Sequence, residues 1–219
     1  MYGIGGGTTP TQIKRVMAFI DGKNLALRYK DMQKAGARPL NGVVEIKDTF
    51  VWKPLPPQYP RTIPNTIQVY DILRAYYYTY FTDDDIVGLK SQIKKIHYLH
   101  TGSELTLSPV VFKKLKSEVK AKGDDIALTV EALHHAYNHN TDIIHIFTGD
   151  GDYLPLIQEI KHLGVTVFVS AFSSGLNERL VLEADYFMYL DEVYFVDKKK
   201  IQSNLIQSNS VQKSNTNPI

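Results

Sequence analysis

The sequence predicts an α/β domain in three layers, a central and mainly parallel sheet flanked by helices. Three observations lead there. The runs Arg15-Val-Met-Ala-Phe-Ile-Asp21, Ile143-Ile-His-Ile-Phe147 and Gly164-Val-Thr-Val-Phe-Val-Ser170 are β-branched or aromatic and too short for helices, so they read as buried strands. Segments with helical spacing lie between them, and alternation of strand with helix is the order that builds parallel sheets through crossover helices. Each run also closes on a polar turn, at Asp21, at Asp150-Gly151-Asp152 or at Ser173-Ser174. The carboxyl ends of strands are where open α/β sheets bind ligands.

Taken in order, residues 1–14 read as a flexible leader because Gly3, Gly5, Gly6 and Gly7 crowd it. After the strand ending on Asp21, Gly22 turns the chain and Asn24 precedes a helix that begins Leu25-Ala-Leu-Arg-Tyr29. The region 36–66 holds Pro39, Pro54, Pro56, Pro57, Pro60 and Pro64, which forbid a long helix. It reads as an insertion in which Val43–Ile46 and Thr49–Trp52 pair as a small hairpin, with Trp52 packed locally. Residues 67–81 end in a strand with tyrosines on both faces.

Residues 83–99 read as a helix. Asp83, Asp84 and Asp85 load its amino end, where the helix dipole favours them, and Ile86, Leu89, Ile93 and Ile96 recur at core-facing spacing. Lys113, Lys114, Lys116, Lys120 and Lys122 then form a basic run. Residues 123–139 read as a helix whose core stripe is Ile126, Val130, Leu133 and Tyr137, flanked by Asp125, while Asp124 and Glu131 share another line. His134, His135 and His139 read as exposed. Ser173, Ser174 and Asn177 start a helix that runs through Ala184, and Asp185-Tyr-Phe-Met-Tyr-Leu190 is a last strand. The domain is expected over 15–197, followed by a mobile polar tail over 198–219.

Composition narrows the function classes. The hydrophobic share of 43% and charged share of 22% are those of a globular protein, and the net charge of +2 announces no polyanionic partner by itself. The absence of cysteine excludes disulfides, thiolate nucleophiles and Cys-ligated zinc. No run is apolar enough to span a membrane, so no membrane partner is expected and a cytoplasmic location is the default.

If the strands ending on Asp21 and Phe147 meet at the topological switch, then Asp21, Asp150, Asp152 and one Asp of the 123–139 helix line one pocket. Each of these residues can also be read as a turn or helix cap. Clustered carboxylates without cysteine or a coherent histidine set suit a hard cation, Mg²⁺ or Mn²⁺. Such an ion activates water and stabilises charge on a phosphoryl transition state.

Three motifs, in this order, resemble those of the NYN domain, a PIN-like family, and within it the LabA-like branch. They are Phe19-Ile-Asp21-Gly-Lys-Asn24-Leu25, Lys122-Gly-Asp-Asp125-Ile126 and Thr148-Gly-Asp150-Gly-Asp152-Tyr-Leu-Pro-Leu156, with Ala184-Asp-Tyr-Phe187 as a closing strand. The resemblance covers roughly residues 15–191. It implies a PIN-like fold and a metal-dependent ribonuclease, with acidic ligands at Asp21, Asp125, Asp150 and Asp152 and with Asn24 contacting the first of them. Two positions depart from the family. Asp124 stands where an apolar residue is usual, and Glu131 where a second helix Asp is frequent, which makes both accessory candidates.

RNA is then the expected partner. Lys122, Lys113, Lys114 and Lys116 are the candidates for its backbone, and Ser173 and Ser174 for substrate contact. Homo-oligomer formation is left open. The rival reading is a non-catalytic RNA-binding or assembly module with a vestigial acidic pocket. Haloacid-dehalogenase-like phosphatases share the Gly-Asp-Gly-Asp pattern, but they need an Asp two residues after the nucleophile, where Lys23 stands here.

Overall fold

Strand β1 (Thr11–Asp21) is apolar on both faces from Val16 to Ile20, as a strand in the middle of a covered parallel sheet must be. Val16, Ala18 and Ile20 enter one apolar cluster, and Met17 and Phe19 enter another on the opposite side. The computed structural model describes residues 11–54, 62–63, 66–100, 103–113 and 123–196. After β1 come α1 (Gly22–Lys34), β2 (Val44–Ile46), β3 (Phe50–Trp52), β4 (Thr62–Ile63), β5 (Thr66–Phe81) and α2 (Ile86–Lys94). The chain continues through β6 (His97–His100), β7 (Ser103–Thr106), β8 (Ser108–Lys113), α3 (Gly123–Tyr137) and β9 (Ile143–Phe147). A 3₁₀ turn (Gly151–Tyr153) leads into α4 (Leu154–His162), then β10 (Thr166–Ala171), α5 (Glu178–Glu183), β11 (Tyr186–Tyr189) and α6 (Asp191–Tyr194).

The main sheet runs β11-β10-β9-β1-β5-β8 with all neighbours parallel, and the short β4 adds antiparallel to the start of β5. The chain moves outward from β1 through β5 to β8, then crosses back to β9 and continues the other way. The order therefore reverses between β1 and β9, and their carboxyl ends frame the crevice that such sheets use for ligands. One face is covered by α1, α2, α6 and the β2–β3 hairpin, and the other by α3, α4 and α5.

Several elements differ from the sequence expectation. β1 begins at Thr11, inside the expected leader, because its first residues pair with Ile67 to Tyr70 of β5. The β2–β3 hairpin forms as expected, but Trp52 is not confined to the insertion. It is buried against Tyr77 of β5 and Phe147 of β9, its ring centroid 5.3 Å from that of Phe147. The helix expected over 83–99 ends at Lys94, and His97–His100 pairs instead with Ser103–Thr106 as a hairpin. Of the Asp83–Asp85 run, Asp85 caps α2 through the N–H of Gly88 at 2.8 Å, while Asp84 pairs with Lys113.

The start of the basic run lies in a strand: β8 pairs with Tyr76–Phe81. The α6 turn was not foreseen. It brings Tyr194, together with Phe195, into the core beside Tyr29.

The face of α3 is the largest correction. Ile126 is 62% exposed and Val130 60% exposed, and Tyr137 also faces solvent. The buried line is Asp124, Leu128, Ala132, His135 and Ala136. The alanines let α3 lie close to the sheet, where branched side chains would hold it away. His135, expected at the surface, is buried. Its Nδ1 lies 2.9 Å from Asn140 Oδ1, and its Nε2 lies 3.3 Å from the Glu131 carboxylate.

Candidate functional site

Asp21 stands where β1 ends and α1 begins. Gly22 is obligatory at this junction, since a Cβ there would lie 2.1 Å from the Tyr77 ring and 2.6 Å from the Tyr78 carbonyl oxygen. Ile20 pairs with Phe147, which sets Asp21 beside Thr148 at the end of β9. The Thr148 hydroxyl donates to Asp21 Oδ2 at 2.9 Å, and the Asn24 N–H donates to Asp21 Oδ1 at 2.9 Å.

The same residues hold the loop after β9. Thr148 Oγ1 accepts from the Asp150 N–H at 3.1 Å, and Asn24 Oδ1 accepts from the Gly149 N–H at 3.0 Å. Asp150 in turn caps the 3₁₀ turn, its Oδ1 accepting from the Asp152 N–H at 3.0 Å. A continuous set of hydrogen bonds thus fixes Asp150 relative to Asp21, while Asp150 and Asp152 themselves stay exposed.

α3 supplies the other wall. Asp124 is buried at 2% exposure and points its carboxylate inward, where the Tyr80 hydroxyl donates to it. Its Oδ1 has no hydrogen-bond partner among the described residues. Asp125, next along the helix, is exposed and accepts from the Tyr153 hydroxyl at 2.9 Å. Burial pushes the Asp21 carboxyl up to about 7, against the pull of its bonds from Asn24 and Thr148, and Asp125 and Asp124 raise it further. Burial, then the Asp125 charge, pushes Asp124 up to about 6. Burial and the neighbouring Asp21 and Asp125 charges raise the Tyr153 hydroxyl, which stays a donor.

Two clefts meet at Asp150. Asp125, Ile126, Val130 and Tyr153 wall a largely apolar one of about 190 Å³, with Asp150 and Asp152 at its edge. On the other side, Arg28, Ser173, Gly175 and Asn177 wall a polar one of about 390 Å³ that Asp150 also lines.

Residues 15–191 match the NYN domain. The chain belongs to the NYN domain family. It is 26% identical over 110 residues to the uncharacterized protein MJ0482 of Methanocaldococcus jannaschii, covering 50% of this chain and 46% of that protein. The chain thus spans about half the length of that relative. The crystal structure of a protein of unknown function, VPA0982 from Vibrio parahaemolyticus, shares the fold with a TM-score of 0.53 and 16% identity, over 84% of this chain and 96% of that one. The parallel sheet flanked by helices is the α/β PIN-like fold that NYN membership implies.

The NYN family also implies a divalent cation. Among the described residues no three Asp, Glu or His groups stand close enough to enclose an ion by themselves. The arrangement fits Mg²⁺ nonetheless, because that ion keeps most of its waters and is commonly held by one or two carboxylates together with substrate phosphate oxygens. The unpartnered Asp124 oxygen, buried near a second buried carboxylate, is the feature a cation would satisfy. Asp21 and Asp124 are the residues that would hold it, while Asp125, Asp150 and Asp152 line the neighbouring cleft.

Other expected site residues lie elsewhere. Asp124, not Asp125, lies on the buried stripe of α3, so the helix face expected to favour Asp125 favours Asp124, while the family position still points to Asp125. The Glu131 carboxylate is engaged with Tyr76 and His135. Lys113 ends β8 and pairs with Asp84. Lys114, Lys116, Lys120 and Lys122 lie outside the described residues. Ser173 reaches the polar cleft, but its N–H donates to Asp191 Oδ2 at 2.8 Å and its hydroxyl to Asp191 Oδ1; Ser174 is buried.

Thr148 and Tyr153 belong to the site though no role was read for them. Both flank the acidic pair in the third motif, and that adjacency was the available signal. Nothing in the sequence marks Arg28, which comes to the cleft through the packing of α1 on the loop after β10.

Proposed function

We propose that this NYN domain, of the LabA-like branch, is a ribonuclease that hydrolyses RNA phosphodiester bonds with Mg²⁺ or Mn²⁺ and acts in the cytoplasm. The observation that carries the reading is the buried Asp124 carboxylate, with one oxygen unpartnered among the described residues, near buried Asp21 at the β1/β9 switch. A cation bound there supplies charge stabilisation for the phosphoryl group and a more acidic water.

The residues of the chain itself do the remaining work. Thr148 and Asn24 hold the Asp21 carboxylate in one orientation and fix the turn that presents Asp150. Tyr153 restrains Asp125 at the pocket edge. The raised Asp21 and Asp124 groups release their protons more readily when a cation takes their place, so assembly of the site favours the alkaline side of neutrality.

The test is incubation of purified protein with mixed single-stranded RNA in Mn²⁺, Mg²⁺ or chelator. Cleavage is expected with either ion and absent with chelator. Asp150→Asn should abolish it while the far-ultraviolet circular dichroism stays that of the parent; cutting at the parental rate would remove Asp150 from the essential set. The absence of a three-carboxylate cluster among the described residues favours a second reading, an RNA-binding or assembly module without turnover. RNA bound but uncut under every ion is the outcome that selects it.

A further inference from the structure

We propose that the polar cleft beyond Asp150 is an anion subsite that holds a backbone phosphate of the RNA strand next to the acidic pocket, with Arg28 as its cation. The identity of the ligand rests on the ribonuclease reading; the anion site itself rests on geometry. Arg28 lies one turn after Asn24 on α1, so the helix that orients Asp21 carries the guanidinium on the same side. The cleft is about 390 Å³ and is walled by Arg28, Ser173, Asn177 and the backbone of three glycines, a polar lining unlike the apolar cleft across the loop.

The guanidinium is held by shape. It lies on Gly175, whose φ of +63° suits glycine and where a Cβ would stand 2.2 Å from Arg28 Cζ. Its bonding capacity is largely unused. Nε is buried with no hydrogen-bond partner among the described residues, and Nη1 reaches Asp31 Oδ2 only at 3.5 Å. A planar fork of N–H donors, fixed in place and weakly paired, matches the oxygens of a phosphate.

Asp150 lines this cleft as well as the apolar one, so a strand seated in one leads into the other. The Asp150 carboxylate opposes an anion unless a cation offsets it. Phosphate binding in the cleft should therefore tighten when a divalent cation is present. This coupling places the subsite beside the reaction without giving Arg28 a part in the chemistry.

The experiment measures binding of a short single-stranded RNA and of inorganic phosphate to the full chain by calorimetry, with and without Mg²⁺, over a series of salt concentrations. Arg28→Gln should weaken RNA binding by at least about tenfold, the loss of one charge-assisted contact, and lower the salt slope by about 0.7. Arg28→Lys, which keeps the charge but loses the fork, should fall between the two. Asp31→Asn releases Arg28 Nη1 from its 3.5 Å pairing with Asp31, and it should tighten both ligands in the parent but not in an Arg28→Gln background, a dependence that a merely structural arginine would not produce.

Arg28→Gln bound within twofold of the parent at an unchanged salt slope overturns the subsite, even if RNA is cut normally. Phosphate binding that depends on Arg28 while RNA binding does not also overturns it, because the cleft then takes a free anion. A parent chain that binds no RNA but binds phosphate through Arg28 overturns the RNA assignment and the ribonuclease reading together. RNA affinity lost in Arg28→Gln, gained in Asp31→Asn and enhanced by Mg²⁺ supports the proposal.

Discussion

At the scale of single residues, the doublet Asp124-Asp125 is where local spacing and burial disagree. The family spacing points to Asp125, while burial points to Asp124, whose Oδ1 has no hydrogen-bond partner among the described residues. Replacing the buried group with a neutral isostere removes the like-charge and desolvation cost. Asp124→Asn should therefore raise the melting temperature at pH 8 without divalent cation, and should remove the rise that Mn²⁺ gives the parent. Asp125→Asn, at an exposed position, should leave cation-free stability within about 0.5 kcal/mol of the parent. Calorimetric melts of the two variants with and without Mn²⁺ decide the matter. If Asp125→Asn alone removes the cation effect, the spacing of the motif is the better guide.

At the scale of elements, what was legible depended on whether local pattern and tertiary packing agreed. The strands ending on Asp21 and Phe147 were readable because burial on both faces leaves short, mainly apolar runs, Val16–Ile20 and Ile143–Phe147, the latter broken only by His145. The carboxylates at their ends followed from that alone. The phase of α3 was not readable. Its large apolar residues, Ile126 and Val130, lie outside, and the packing stripe is built from Leu128, Ala132 and Ala136, which a hydrophobicity pattern undervalues. Strand β8 was hidden because the lysines after it dominated the composition of the segment, while its pairing with β5 is non-local.

The corrected helix phase makes a stability prediction. Leu128→Ala should cost about 2–5 kcal/mol, as a fully buried truncation does, and Ile126→Ser or Val130→Ser should each stay within about 0.5 kcal/mol. Urea denaturation of the three variants measures this, and the reverse ranking would restore the face expected from the sequence.

The β1–α1 junction gives a second prediction at this scale. Gly22→Ala forces a methyl into the Tyr77 ring and the Tyr78 carbonyl. Overpacking of this kind costs about 1–3 kcal/mol. Because Asp21 is the adjoining residue, the variant should also weaken Mn²⁺ binding measured by calorimetry. A variant as stable as the parent, with parental Mn²⁺ affinity, would mean that the junction is slack.

At the scale of the whole molecule, the fold gathers negative charge in its interior at the one place where the strand order reverses, and stability should respond to protons and cations together. Asp21 rises from 3.8 to about 7, so between these values the native state binds more protons than the unfolded chain, and stability falls as pH rises through that window. The contribution is neutral below about pH 4 and fully unfavourable above about pH 7. Asp124, raised to about 6, acts in the same direction.

His145 acts in the opposite one. Burial lowers it from 6.5 to about 3, so the native state binds fewer protons there and stability rises with pH up to about 6.5. The raw stability curve mixes these signs, and the informative quantity is the parent minus Asp21→Asn, which share His145. That difference should turn steadily against the parent from pH 4 to pH 7 without divalent cation. A cation competes with the protons, so its stabilisation of the parent should be larger at pH 8 than at pH 5, reaching about 2.7 kcal/mol at one hundred times its dissociation constant. Thermal melts of both proteins at the two pH values, with Mn²⁺ or chelator, test this. A difference curve that is flat with pH, or a Mn²⁺ effect equal at pH 5 and pH 8, would show that Asp21 carries no proton that a cation displaces.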